Sequence, residues 1–267
     1  MTKTPITYYG GKLSLLNHIL PLIPEHSIYT ESFFGGGAVF FAKKPVKSEV
    51  INDTNNLVVN FYEVVQTNFH ELKDKIEQTP FSRTTYTVAH TIYKMPHLFS
   101  KLTQAWAFYI ATTMGFSSII GSWSYDKYGK KCKRFHDKKM KFDDVIFDRL
   151  QFVEIECNDA CKVIESRDSK EAFHYVDPPY IDMYQGHYKG YTGDDFRKLL
   201  ETLSNVKGKF LLSSYKSNLL ANYTKSNGWY NMSIEKPITA SKVTDGKKRR
   251  KKVEVLTWNY NCKNSPL

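Results

Sequence analysis

Four consecutive residues, Asp177-Pro178-Pro179-Tyr180, form the stretch of this sequence that is best suited to chemistry on a planar amine. They follow the run 173–176, which is typical of a buried strand, and proline cannot continue a strand ladder. The strand therefore ends here and presents the Asp177 carboxylate and the Pro178 carbonyl as two hydrogen-bond acceptors. These acceptors suit the exocyclic amino group of a planar base, and the Tyr180 ring offers a face for stacking.

A run of glycines in ESFFGGGAVFF, residues 31–41, joins a predicted strand to a predicted helix. Such a turn lets a ligand approach the backbone closely, although a glycine run alone is equally typical of a tight turn that binds nothing. Asp53 favours a ligand, because it ends the next predicted strand, 16 residues after Gly37. A carboxylate there can accept hydrogen bonds from ribose hydroxyls. The G-x-G-x-x-G spacing is missing, so we do not expect NAD.

The charge of the chain is uneven and strongly positive. The formal net charge is +11 over 267 residues; residues 127–141 hold eight Lys or Arg against one Asp, and residues 247–252 read KKRRKK. Basic clusters with interleaved aromatic residues are typical of nucleic-acid binding. A solvated loop is the alternative for either run. A membrane surface is disfavoured, because neither run forms an amphipathic helix with an apolar face.

Cysteine usage and hydropathy exclude several classes of protein. The four cysteines are too few and too scattered for a disulfide framework or a zinc site, so we expect reduced thiols and no metal. No apolar run approaches the roughly 18 residues of a membrane span. The N-terminal MTKTPITYYGGK lacks the apolar region of a signal peptide. We therefore expect a cytoplasmic protein.

Strand-like and helix-like segments alternate along most of the chain, which predicts an α/β fold with a mostly parallel sheet. The last two strands flank KKRRKK and are predicted to pair antiparallel around a basic loop. Helical sequence over residues 66–149 interrupts the alternation and predicts an inserted subdomain, with an exposed hairpin or loop over residues 121–141. The remaining residues, 1–65 and 150–267, are predicted to form one catalytic domain.

In motif order the chain resembles the Dam-like N6-adenine DNA methyltransferases. TYYGGK at 7–12 resembles the N-terminal cofactor motif of that family, and ESFFGGGAVFF resembles its Gly-rich motif. Asp53, ECNDACKVI at 156–164 and D-P-P-Y follow in the family's order. FLLSSY at 210–215 and KKVEVLTWNY at 251–260 match its later strands. Motifs in this order cover nearly the whole chain.

The resemblance implies a seven-stranded Rossmann-like sheet, S-adenosylmethionine as methyl donor, and transfer to the amino nitrogen of an adenine flipped out of double-stranded DNA. It implies that residues 66–149 recognise the target. The catalytic residues it implies are Asp177, Pro178, Pro179 and Tyr180. The cofactor-binding residues it implies are Tyr8, Lys12, Phe33, Gly35, Gly37, Asp53, Asp159 and Asp177. Phosphate contacts are expected from the two basic runs, at Lys130, Lys133, Arg134, Lys138, Lys139, Lys248, Arg249 and Arg250.

Three rival functions stay open at this point. A cytosine N4 methyltransferase alkylates an amine of the same geometry but more often has Ser in place of Asp177. Methyltransferases of RNA or of protein amides typically have Asn there. The third rival is a DNA-binding module that has lost catalysis. We expect a monomeric bacterial or phage protein bound to DNA and to no membrane; a restriction endonuclease acting on the same site is an open partner.

Overall fold

A computed structural model of the protein describes residues 4–8, 10–116, 120–180, 190–237 and 251–262. Its centre is a seven-stranded sheet with the spatial order β3-β2-β1-β4-β5-β7-β6. In chain order the strands are β1 (Ile28–Glu31), β2 (Ser48–Asn52), β3 (Val153–Glu156), β4 (Ala172–Val176), β5 (Lys209–Tyr215), β6 (Tyr230–Pro237) and β7 (Lys251–Trp258). Strands β1 to β5 pair in parallel, whereas β7 runs antiparallel to β5 and β6. The predicted Rossmann-like α/β fold and the antiparallel final pair are confirmed.

The helices of the described residues connect and cover these strands. They are α1 (Leu16–Ile19), α2 (Ala38–Ala42), α3 (Asn56–Thr67), α4 (Phe69–Glu77), α5 (Arg83–Lys94), α6 (Lys101–Met114), α7 (Lys130–Lys139), α8 (Asp144–Leu150), α9 (Ala160–Arg167), α10 (Gly193–Asn205) and α11 (Asn218–Asn227). Several begin at a polar cap, because the first N–H groups of a helix lack partners within it. Thr192 and Asp195 form a full capping box at the start of α10.

The sheet places one acid on each side of its central crevice. All five residues of β4 are buried, as expected for a strand covered by helices on both faces. Strand β1 pairs with β2 on one side and β4 on the other, so the connections diverge between β1 and β4. Ligands of open α/β sheets bind at this switch point, beyond the carboxyl ends of the strands. Glu31 is the last residue of β1, and Asp177 directly follows β4.

Helices α3 to α8 form the long connection between β2 and β3. The predicted boundaries of the insertion, 66 and 149, fall inside α3 and α8 rather than between elements. Phe61 of α3 and Phe108 of α6 belong to the same hydrophobic cluster as Tyr29 of β1 and Tyr175 of β4. The helices of the connection therefore share one core with the sheet. Their role in target recognition stays a prediction.

The prediction of a hairpin or loop over residues 121–141 is wrong for residues 130–139, which form α7. The Asp126 carboxylate accepts hydrogen bonds from the backbone N–H groups of Tyr128, Lys130 and Lys131, and this caps the helix start. Phe135 is buried and anchors the middle of the helix. The Asp126 cap and the buried Phe135 offset the repulsion among the basic side chains of the helix. The charge pattern of the sequence did not reveal either of these two contacts. A single antiparallel bridge, Gly115 to Trp123, precedes the helix.

Among the described residues, no helix has both the length and the apolar character that crossing a membrane requires.

Candidate active site

The Gly-rich turn brings the backbone to the crevice at the end of β1. Gly37 has a φ of 62°, and a Cβ there would lie 2.5 Å from Cζ of Phe34. A Cβ on Gly36 would lie 3.1 Å from Cβ of Tyr8. Side chains are therefore excluded from this part of the turn by both conformation and space. The bare backbone forms one wall of a cavity.

Asp53 holds this turn in place from the end of β2. Its Oδ2 accepts the N–H of Gly35 at 2.8 Å, and its Oδ1 accepts the N–H of Asn55 at 2.8 Å. The residue is 1% exposed. Asp53 thus has a positioning role that the sequence did not reveal, and its contact with a ribose stays a prediction.

Asp177 lies in a compact cluster of buried charges at the end of β4. Its Oδ1 is 2.7 Å from Nζ of Lys12, which also lies 3.6 Å from Oε1 of Glu254. The Tyr180 hydroxyl lies 3.4 Å from Asp177 Oδ1 and donates a short hydrogen bond to Glu254 Oε1. Ser213 donates to the same Glu254 oxygen at 3.2 Å. One cation therefore lies between two carboxylates, and a hydroxyl links those carboxylates directly.

Burial shapes the protonation of the two acids beside the crevice. Burial raises the pKa of Asp177 to about 6, although the ion pair with Lys12 opposes the rise. Asp177 is thus a carboxylate at neutral pH that can still take up a proton. Burial raises the pKa of Glu31 to about 8, even though its Oε2 accepts hydrogen bonds from the Tyr29 hydroxyl and the Phe40 N–H. Glu31 is therefore mostly protonated at neutral pH.

Most of the predicted catalytic and cofactor-binding residues line one cavity, which we call the catalytic cavity. Its walls include Tyr8, Lys12, Phe33, Gly35, Gly37, Asp177, Pro178, Pro179 and Tyr180. The missed Glu31 and Tyr175 line it too. Residues far apart in sequence thus meet at the switch point of the sheet, and their roles in catalysis and cofactor binding stay predictions.

A second cavity, of about 520 Å³, adjoins the first and shares Phe33 and Pro179 with it. Asp159 lies in its wall, caps α9 through the N–H groups of Cys161 and Lys162, and pairs with Lys198 at 2.9 Å. The volume of this second cavity falls in the ~300–1,000 Å³ range of small-molecule sites. The two cavities together form a groove across the ends of the central strands.

Besides Glu31 and Tyr175, the sequence interpretation missed Glu254, Ser213 and Tyr215 as site residues. The Tyr215 ring lies 4.0 Å, centroid to centroid, from the Tyr180 ring. Glu254 is buried in β7 between Val253 and Val255, and an acid between two apolar residues of a strand is a signal that could have marked it. Its position beside Asp177 depends on the antiparallel pairing of β7 with β5, which no local pattern shows.

The residues predicted to contact phosphates have different surroundings. Lys133 pairs with Asp137 at 3.1 Å on the exposed side of α7, and Lys130 lies over the Tyr128 ring. Lys139 donates to the carbonyls of Glu77 and Thr79, which ties α7 to the end of α4. Arg134 and Lys138 line a separate cavity together with Lys131. Lys248, Arg249 and Arg250 lie outside the described residues.

Comparison with known families agrees with this geometry. The family model described as "D12 class N6 adenine-specific DNA methyltransferase" matches residues 8–239. The match spans the Gly-rich turn, Asp53, Asp159 and the Asp177 motif. The family predicted from motif order is thereby confirmed.

Three named proteins resemble the chain at low identity. The type II methyltransferase M1.LlaDCHI of Lactococcus lactis subsp. cremoris is 26% identical over 94% of this chain and 93% of its own length. The modification methylase StsI of Streptococcus sanguinis is 26% identical over 98% of this chain but only 43% of its own length. The DNA N-6-adenine-methyltransferase of Escherichia phage P1 is 27% identical over 70% of this chain and 25% of its own length. The chain therefore spans less than half of the latter two proteins.

Proposed function

The chain belongs to the D12 class of N6 adenine-specific DNA methyltransferases, and we propose that its catalytic cavity transfers a methyl group from S-adenosylmethionine to the amino nitrogen of an adenine in double-stranded DNA. The observation that carries this proposal is the placement of Asp177. Its carboxylate lies at the end of β4, next to Pro178, in the cavity walled by the Gly-rich turn. The proposed site for the adenine amino group would therefore lie next to the proposed site for the methyl donor.

The groove fits the chemical features of S-adenosylmethionine. This donor carries an adenosine, a cationic ammonium group and a cationic sulfonium centre. The catalytic cavity offers the Asp177 carboxylate, the Glu31 carboxyl group, whose ionisation a bound cation would favour, and a bare glycine backbone. The second cavity has a volume of about 520 Å³ and is bordered by the Phe33 ring. We propose that Tyr8, Lys12 and Phe33 hold the donor from one side, and that Asp53 and Asp159 act at its adenosine end. When bound, S-adenosylmethionine supplies an electrophilic methyl carbon.

Asp177 and Pro178 have the positions to hold the adenine amino group. Strand β4 ends at Val176, so the Pro178 carbonyl lies beyond the strand ladder. Hydrogen bonds from the amine to Asp177 Oδ and to the Pro178 carbonyl would turn the nitrogen lone pair away from the ring. Fixing that direction supplies much of the rate, because the reacting atoms must be aligned. The nitrogen loses one proton in the reaction, and Asp177, whose pKa is about 6, is suited to accept it.

Lys12 and Glu254 position these groups. The ion pair with Lys12 keeps Asp177 ionised and fixes the direction of its carboxylate. Glu254 accepts from the Tyr180 hydroxyl and from Ser213, and so it fixes the orientation of the Tyr180 ring. Because the cluster is already hydrogen-bonded, little reorganisation is needed when substrate binds.

Tyr180 provides the surface on which an extruded base can rest. An adenine inside a duplex cannot reach this cavity and must be flipped out, at a cost of a few kcal/mol. Stacking on an aromatic ring is worth roughly 1–3 kcal/mol per base and would offset that cost. Tyr215, packed against Tyr180, extends the aromatic surface.

Labelled methyl transfer tests the proposal. Purified protein is incubated with duplex DNA and S-adenosylmethionine carrying a labelled methyl group, and the DNA is digested to nucleosides. We expect the label in N6-methyldeoxyadenosine, with none in reactions of Asp177→Ala. Label in N4-methyldeoxycytidine would keep the chemistry but replace the substrate. Absence of both label and donor binding would identify the chain as an inactive DNA-binding module.

The substrate also sets the cellular context that we propose. A protein acting on duplex DNA would work in the cytoplasm of a bacterium or of a phage-infected cell, as a monomer bound to DNA. Two relatives carry names that mark them as a type II methyltransferase and a modification methylase. On that basis we propose that this chain protects a short DNA site against a cognate restriction endonuclease.

A further inference from the structure

Helix α7 carries three cations on the face that packs against the rest of the protein; Lys131 and Lys138 are half-buried, and Arg134 is exposed. Lys131, Arg134 and Lys138 are spaced three and four residues apart, so they share one helix face with the buried Phe135. This face borders a cavity of about 230 Å³, which we call the α7 cavity. The residues that define it are Thr113, Ser124, Lys131, Arg134, Phe135 and Lys138.

In the described part of the chain, none of these three cations forms an ion pair. Burial, together with the positive charges of Arg134 and Lys131, lowers the pKa of Lys138 to about 7. The other wall residues, Phe81, Met114 and Gly115 among them, carry no titratable side chain. The cavity therefore concentrates positive charge that an anion would relieve.

Two buried hydroxyl groups in the same walls also lack a partner. The Thr113 and Ser124 side-chain oxygens are buried and make no hydrogen bond to any described residue. Buried hydroxyls are normally satisfied, because an unmade hydrogen bond there costs free energy. Two hydroxyl donors beside a guanidinium and two ammonium groups match the oxygen atoms of a phosphate.

We propose that the α7 cavity binds one backbone phosphate of the DNA substrate. The proposal rests on the proposed function for the identity of the partner, because inorganic phosphate or a free nucleotide carries the same chemistry. It divides the predicted phosphate contacts into two groups. Arg134 and Lys138, joined by Lys131, hold the phosphate, whereas Lys133 and Lys139 are already engaged with Asp137 and with main-chain carbonyls.

The matched pair of variants is Lys138→Met and Lys133→Met, which remove the same charge from the same helix. DNA affinity is measured by fluorescence anisotropy over a range of salt concentrations. For Lys138→Met we expect about tenfold weaker binding, and a salt slope smaller by about 0.9, because one phosphate contact is lost. Lys133→Met is expected to change the affinity less than twofold. Equal losses in the two variants, or no loss in Lys138→Met, would overturn the proposal.

A scan with neutral methylphosphonates locates the phosphate. Duplexes with one methylphosphonate at successive positions are bound to the unmodified protein and to Lys138→Met. One position should weaken binding to the unmodified protein about tenfold and leave binding to Lys138→Met unchanged. A uniform response at every position would contradict a defined pocket.

Two controls separate this proposal from the proposed function. Calorimetric titration with S-adenosylmethionine is expected to give the same affinity for Lys138→Met as for the unmodified protein. If neither protein binds the donor but the methylphosphonate scan still finds one position, the methyltransferase proposal fails and the phosphate site stands. If inorganic phosphate binds Lys138-dependently at micromolar concentration and no DNA position responds, a free anion is the ligand and the DNA proposal is overturned.

Discussion

Lys12 in the catalytic cavity is buried and Lys138 in the α7 cavity is half-buried, but the charges that surround the two lysines are opposite in sign. Lys12 lies between the carboxylates of Asp177 and Glu254, at 2.7 and 3.6 Å. Lys138 has the cations Arg134 and Lys131 as its charged neighbours. The first arrangement is compensated from within and holds its geometry before substrate arrives. The second awaits compensation from a ligand. The difference distinguishes a lysine that positions catalytic groups, Lys12, from a lysine that we propose binds the DNA backbone, Lys138.

The strongest way to break this comparison is to remove the carboxylate that joins the two functions of the catalytic cavity. Asp177→Ala should lower the methyl-transfer rate by about 10³-fold or more, because the amine acceptor is lost and Lys12 is left without its main partner. DNA affinity should change less than threefold. Single-turnover transfer and anisotropy measure the two quantities. Asp74→Ala, an exposed acid on α4, is the matched control, and a parallel loss of rate and DNA affinity in Asp177→Ala would contradict the division.

Glu254 offers a sharper test, because we assign it positioning alone. Glu254→Gln should lower the methyl-transfer rate by about 10–100-fold. The dissociation constants for DNA and for S-adenosylmethionine should stay within threefold of those of the unmodified protein. Tyr180→Phe removes only the hydroxyl that donates to Glu254. Glu254→Gln weakens the hydrogen bond that Tyr180→Phe removes, because an amide oxygen is a weaker acceptor than a carboxylate, so the losses in the double variant should be clearly less than additive. Fully additive losses would show that the two residues act separately.

The pH dependence of the rate probes the same cavity. A protonated Asp177 cannot accept the amine proton, and its pKa is about 6. We expect kcat, measured at saturating DNA and S-adenosylmethionine, to be level above pH 7 and to fall about tenfold per pH unit below pH 6. A profile that stays level down to pH 5 would contradict the role of Asp177.

The two cavities should respond to pH in opposite directions. Lys138 loses its charge as pH rises through about 7, and a bound phosphate would favour the charged form. DNA affinity should therefore decline between pH 7 and pH 9 for the unmodified protein, and decline less for Lys138→Met. Anisotropy at constant ionic strength measures this. An equal decline of DNA affinity in both proteins would show that Lys138 is not responsible for the pH dependence.

The smallest effect is expected at Lys139, which ties α7 to α4. Lys139→Met should lower the free energy of unfolding by about 1 kcal/mol, because the Glu77 and Thr79 carbonyls lose a donor. Urea denaturation measures the change. The salt slope of DNA binding should stay within error of the unmodified protein. A reduced slope with unchanged stability would move Lys139 into the group that binds phosphate.

The sequence revealed the parts of the site that depend on local pattern. Asp177 could be placed at a strand end because prolines stop a strand, and the glycine run marked a close backbone approach. The strands of the sheet were recognisable from their apolar runs. Glu254 was missed because its place beside Asp177 depends on a long-range antiparallel pairing. Helix α7 was missed because its many charged residues are typical of a solvated loop. The helix is stabilised by the Asp126 cap and by the burial of Phe135, and neither contact can be recognised from composition.

The most direct test of the central claim is single-molecule sequencing of plasmid DNA from a methylation-free host that expresses this chain. The account predicts N6-methyladenine at one short motif, and none when the host expresses Asp177→Ala. It would also reveal the target sequence. Plasmid without modified adenine, from a host in which the folded protein accumulates and the purified protein binds S-adenosylmethionine, would contradict the account.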